Sequence, residues 1–145
     1  AYQLYTNVKD NNFAINTFTY PLHVFKKMND YVSWEFIVLY LKGNESTVPE
    51  MVGVVFGYKN LNKAYVPTLI GMNYSYVQGL NLYRQLLFQI IKRANTLGLS
   101  KIDFGFSATF EKRKLGAEIT QKVAYIQAKD NYAFEALNSL QNEIK

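Results

Sequence analysis

Residues 64–116, AYVPTLIGMNYSYVQGLNLYRQLLFQIIKRANTLGLSKIDFGFSATFEKRKLG, decide the fold. Leu82, Tyr83, Leu86, Leu87, Ile90, Ile91, Ala94 and Leu97 keep an i, i+3, i+4 rhythm, so residues 79–97 read as a long amphipathic helix. Arg84, Gln85, Gln89, Lys92, Arg93 and Thr96 fill its other side, and Gly98 is the expected stop. Upstream, residues 64–70 read as a strand. Pro67 within it marks a bulge or an edge, because proline cannot donate to a ladder. Downstream, only Leu99 and Ser100 separate the helix from a further strand, residues 101–106. Strand, helix, short loop, strand is a βαβ unit, which predicts a parallel pair and a right-handed crossover. A short basic helix, residues 108–115, follows Gly105.

Residues 34–42 and 51–58 are rich in aromatic and β-branched side chains and read as strands. The turn Asn60-Leu61-Asn62-Lys63 pairs the second of them antiparallel with residues 64–70. Near the N-terminus, residues 2–8 and 13–18 read as short strands around Asp10-Asn11-Asn12. Thr19 and Pro21 then open a helix carrying Leu22, Phe25 and Met28. Residues 118–128 read as a strand, and Asp130 or Asn131 caps a last helix with Phe134, Leu137, Leu140 and Ile144 on one face. The expected fold is α/β (α+β): a mixed, mostly antiparallel sheet of roughly six or seven strands, one parallel crossover, and helices on both faces.

The chain has 145 residues, of which 49% are hydrophobic, enough for one domain with a real core over residues 1–145. Its start at Ala1, without an initiator methionine, suits a processed product or a domain of a larger protein. Cysteine is absent, which excludes disulfides, thiolate metal sites and a cysteine nucleophile. His23 is the single histidine, so neither a histidine metal site nor a Ser-His-Asp triad is expected. No apolar run reaches the roughly 18 residues of a membrane span, and the N-terminus lacks a signal-peptide pattern. A cytoplasmic location is the expectation. The net charge of +5 favours an anionic partner. Its lysines and arginines are spread among acids, whereas nucleic-acid binders concentrate them on one face.

Two stretches carry a family resemblance. Gln78-Gly79-Leu80-Asn81-Leu82-Tyr83 lies between a bulged strand and its long helix. In that place the GNAT acyltransferase superfamily has Gln/Arg-x-x-Gly-x-Gly/Ala. Gln78 matches; Asn81 and Tyr83 stand where small residues are usual. Asp103-Phe104-Gly105-Phe106-Ser107, followed by Glu111-Lys112-Arg113-Lys114-Leu115-Gly116-Ala117, looks like the "fG-(S/T)-x(n)-K-x-x-x-Ga" ending of the CelD/BioF-associated, acetyltransferase-like branch related to Fem-type transferases. The resemblance implies a GNAT-like fold and transfer of an acyl group from acetyl-CoA, another acyl-CoA or another acyl carrier to a small-molecule amine, with no metal. Two alternatives stand beside it. One is a non-catalytic module that binds a ligand or a fused or partner enzyme domain. The other is a Fem-type transferase using aminoacyl-tRNA.

The site residues follow from that resemblance. The carrier's phosphates would meet Gln78, Gly79 and Asn81 at the helix start, where backbone N–H groups lack intrahelical partners. Its arm would bond to the backbone of Leu69, Ile70 and Gly71. Asp103 is the candidate base, turned away from the helix by Ile102 and Phe104 and suited to the role by partial burial. Glu35 and Glu50 read as solvated charges. Phe110 stands where many such enzymes place a tyrosine, so Tyr76 or Tyr74, in the loop before the helix, would protonate the leaving thiolate or line the substrate site. Lys112 would hold a phosphate or carboxylate as a point charge.

Overall fold

The computed structural model describes residues 1–11, 19–43, 48–60, 63–121, 123, 131 and 135. Among these the chain runs α1 (Tyr2–Asn11), α2 (Leu22–Met28), β1 (Trp34–Leu41), β2 (Glu50–Asn60), β3 (Ala64–Met72), a 3-10 turn (Tyr74–Tyr76), α3 (Leu82–Thr96) and α4 (Thr109–Arg113). The sheet has three strands in the order β1-β2-β3, and both pairings are antiparallel.

β2 is central and divides the core. Val54 and Phe56 turn to α1 and α2, where they meet Leu4, Tyr5, Phe25 and Met28. Val55 turns the other way, onto Leu82, Leu86, Leu87, Ile90 and Ala94 of α3. Strict alternation would put Val52 with Val54. A register shift opposite Leu39 and Tyr40 leaves Val52 bulged, and it joins the α3 side instead. Helix α3 ends as its spacing predicts. Gly98 takes a left-handed φ of 67°, Leu99 N–H bonds to Ala94 C=O, and Gly98 N–H bonds to Asn95 C=O, each at 3.0 Å.

The expected mixed sheet, and with it the GNAT-like architecture, is corrected by this three-stranded antiparallel sheet. Residues 101–106 do run parallel to β3, but they make a single bridge. Tyr65 N–H bonds to Lys101 C=O, Asp103 N–H bonds to Tyr65 C=O, both at 2.9 Å, and the pairing is Tyr65 with Ile102. The next rung would need a donor at position 67, and Pro67 has none. The rung after that would use Gly105 N–H, which instead bonds to Asp103 Oδ1 at 3.0 Å. Gly105 also leaves the extended region, with φ 64°. Two local events therefore stop the parallel pairing at this one bridge.

Residues 2–8 are also corrected, from strand to helix. Leu4 and Tyr5 are neighbours and both buried. A strand against one layer buries alternate residues; a helix turn buries adjacent ones. Gln3 Nε2 meets Thr6 Oγ1 and Asn7 Oδ1 on the outer side. Tyr20 fastens the following segment, donating its N–H to the Tyr5 hydroxyl and accepting from the Tyr2 hydroxyl. The strand expected over residues 13–18 lies outside the described residues, as do most of the strand expected over 118–128 and the face of the last helix. Among the described residues no helix is long and apolar enough to cross a membrane.

Glu35, expected to be a solvated charge, is the joint between α3 and the sheet. Arg93 grips its carboxylate with two bonds of 2.8 and 2.7 Å, and Lys59 stands 3.6 Å away. The Tyr65 ring lies across Gly57 and buries its hydroxyl near that carboxylate, outside hydrogen-bond geometry and with no partner among the described residues. Burial first, and the Glu35 charge after it, push the phenol above its ordinary range. The Arg93 bonds outweigh burial and hold Glu35 below the ordinary carboxylate value of 4.5. A lowered folded pKa contributes stability that is complete above the unfolded value and is lost as pH falls through the folded one. Glu35→Gln is therefore expected to lower stability at neutral pH and to flatten the acid limb below about pH 4.5. Acid titrations with the same slope for parent and variant would contradict this.

Candidate functional site

Where the parallel ladder stops, β3 and residues 101–108 part, and a cleft of about 1480 Å³ opens between them. Its walls include β3 from Val66 to Ile70, the segment 100–109, residues 115–120, the α3 side chains Tyr83, Leu87 and Ile91, and Tyr5, Val8 and Lys9 of α1.

The β3 wall presents backbone. Tyr65 turns its N–H and C=O outward to residues 101–103. The pairing skips Thr68, since Pro67 faces Gly57 and Leu69 faces Phe56. The bulge expected from Pro67 is thus present. Alternation resumes after it, so Ile70 and then Met72 point outward again. Met72 C=O accepts from Asn7 Nδ2 at 3.3 Å, and Asn73 N–H returns to Val52 C=O, which fixes the phase. Ile70 is left with its N–H and C=O toward the cleft and no backbone partner among the described residues.

Of the residues expected at a site, Leu69, Ile70, Tyr74, Asp103 and Lys112 line this one cleft. Asp103 is exposed rather than partly buried. Its Oδ1 is bonded to Gly105, and Oδ2 has no hydrogen-bond partner among the described residues. Partial burial raises the pKa of the Tyr74 phenol above its usual value. Lys112 does not reach into the cleft with a free ammonium. It is buried, and Nζ donates to the carbonyls of Phe104 and Phe106 at 2.7 Å and of Gly105 at 3.5 Å.

Gly71, Gln78, Gly79, Asn81 and Tyr76 do not line the cleft. Gly71 lies under α1, whose backbone would meet a Cβ at 2.6 Å. The loop before α3 is closed on itself. Leu80 N–H bonds to Tyr76 C=O at 3.1 Å and Asn81 N–H to Gln78 C=O at 3.5 Å, so two of its donors are already used. Asn81 takes the left-handed conformation, φ 51°, that leads into the helix. Tyr76 donates to Glu50 Oε2 at 2.8 Å, and Asn73 Nδ2 to Glu50 Oε1 at 3.1 Å. Glu50, read as solvated, is the post to which this loop is tied, and its bond raises the Tyr76 pKa.

Two cleft residues escaped the sequence reading. Lys9 arrives on α1, a helix read as a strand. Tyr83, part of the apolar stripe of α3, packs against the core and lines the cleft as well. Burial, then the charge of Glu111, raises its pKa. Glu111 itself is held down to about 2 by bonds from Arg84 and Lys114, and the Arg84 bond ties α4 to the first turn of α3.

No family model matches the chain, and neither a curated protein nor a solved structure matches it.

Proposed function

We propose that the cleft receives an acyl thioester carried on an extended, amide-bearing arm, and that the protein passes the acyl group to a small-molecule amine. The observation that supports this is the outward N–H and C=O of Ile70 beyond the Pro67–Thr68 bulge. An amide of the arm laid along β3 would pair with Ile70 as an added strand does. Leu69 and Thr68 flank that contact.

Across the cleft, Asp103 supplies a carboxylate with one oxygen uncommitted among the described residues. It takes the proton of the attacking amine as nitrogen bonds to the thioester carbonyl carbon. When the carbon–sulfur bond breaks, Tyr74 gives its phenolic proton to the leaving thiolate and is reprotonated from solvent. The cleft suits the arm of acyl-CoA. It does not extend to Gln78, Gly79 or Asn81, so a nucleotide end would find no cradle there. The arm rather than the phosphates should therefore carry recognition.

Thermal denaturation with acetyl-CoA, CoA and S-acetylpantetheine tests this. A ligand bound only by the native state at 100 times its Kd stabilises by about 2.7 kcal/mol. S-acetylpantetheine is expected to raise the melting temperature nearly as much as acetyl-CoA does. No shift from either at millimolar concentration would sink the reading. A second reading, a module that binds an extended segment without turnover, is favoured by the exposure of Asp103 and the tie of Tyr76 to Glu50. Stabilisation by acyl carriers with no acyl transfer to any amine would decide for it.

A further inference from the structure

The carbonyls of three consecutive residues, Phe104, Gly105 and Phe106, converge on one nitrogen, Lys112 Nζ, at 2.7, 3.5 and 2.7 Å. In an extended chain successive carbonyls point to opposite sides, so this convergence requires an irregular backbone. The chain provides one, at a cost. Gly105, Ser107 and Ala108 all have left-handed φ, of 64°, 62° and 48°, and two of these residues carry a Cβ. Lys112 is anchored from behind. Its N–H bonds to Ala108 C=O at 3.2 Å, and its C=O accepts from Leu115 and Ala117 at 3.0 and 3.2 Å. An ammonium has three donors and no acceptor, which matches three carbonyls and leaves none of its protons for a ligand.

We infer that residues 104–106 form a carbonyl cradle for an ammonium-type monovalent cation, and that the Lys112 ammonium is its tethered occupant. Converging backbone carbonyls hold monovalent cations in the same way elsewhere. The cradle also has a positional effect. It fixes Gly105, whose N–H is the partner of Asp103 Oδ1, and so holds the segment that ends the parallel ladder and forms one wall of the cleft. The cation site does not depend on acyl transfer, and its test uses no activity.

In the intact chain, nitrogen-15 spectra near neutral pH should show one lysine ammonium protected from solvent exchange, and Lys112→Met should remove it. In Lys112→Ala, the Gly105 amide should exchange about tenfold faster than in the parent, the scale of a lost hydrogen bond to a charged group. Methylammonium, set against tetramethylammonium at equal ionic strength, should restore that protection in Lys112→Ala and leave the parent unchanged. Three results would overturn the inference: no protected ammonium in the parent, unaltered Gly105 exchange in Lys112→Ala, or equal responses to the two salts. If Lys112→Ala does not fold, the parent spectrum decides alone.

Discussion

Asp103→Asn is expected to lower the rate of acyl transfer by about 10²–10⁴, the usual worth of a positioned general base. The substitution is well suited to isolating that role. Asp103 is exposed, and its one hydrogen bond among the described residues is accepted by Oδ1 from Gly105 N–H. Asparagine keeps an oxygen able to accept the same bond, so the turn at residues 103–105 and the fold should survive. What is lost is the basic oxygen facing the cleft. The loss should fall on kcat rather than on binding of S-acetylpantetheine. Steady-state rates at several pH values, with a thermal melt as control, check this. A variant that turns over as fast as the parent removes Asp103 from the chemistry.

Gly71→Ala is expected to destabilise the protein by about 3 kcal/mol, the upper end of ordinary overpacking. For a chain of this length that is a fall of roughly 10 °C in melting temperature. A Cβ at position 71 would stand 2.6 Å from Tyr5 N, 2.7 Å from Leu4 C and 2.8 Å from Val54 Cγ1. Two of those atoms are backbone, so no side-chain rotation relieves the overlap; α1 must move off β3. Gly79→Ala is the control, because nothing lies within 4 Å of a Cβ there. It should change stability by less than about 0.5 kcal/mol. Equal melting temperatures for the two variants would mean that α1 does not lie on β3 as described.

Much of the central fold was legible because it rests on periodicity. Leu82, Leu86, Leu87, Ile90 and Ala94 are the buried stripe of α3, as their spacing requires. The hairpin of β2 and β3 forms, and the bulge lies beside Pro67. The errors came from events that a pattern does not encode. The proline that announced a bulge also withheld the donor needed by the strand on its other side. The Asp103 side chain took the Gly105 N–H that a longer parallel ladder would have used. Residues 2–8 read as a strand because they form a short run before the turn signal Asp10-Asn11-Asn12. The adjacent burial of Leu4 and Tyr5 is a tertiary fact.

The site divided along the same line. Leu69, Ile70 and Asp103, singled out through the family resemblance, flank the point where two segments part. Gln78, Gly79 and Asn81 were grouped with them because a helix start offers free donors. Sequence shows neither that the loop closes on its own carbonyls nor that Glu50 anchors it through Tyr76. Lys112 shows the limit of carrying a charged side chain's role over from a motif. The family pattern places it in the cleft as a ligand-holding charge, whereas its ammonium is committed to three backbone carbonyls.

Amide chemical-shift mapping during titration with S-acetylpantetheine tests the claimed cleft most directly. The largest changes are expected at Leu69, Ile70 and Asp103, with Gln78, Gly79 and Asn81 unmoved. Saturation without change at Ile70, or changes confined to residues 78–81, would contradict it.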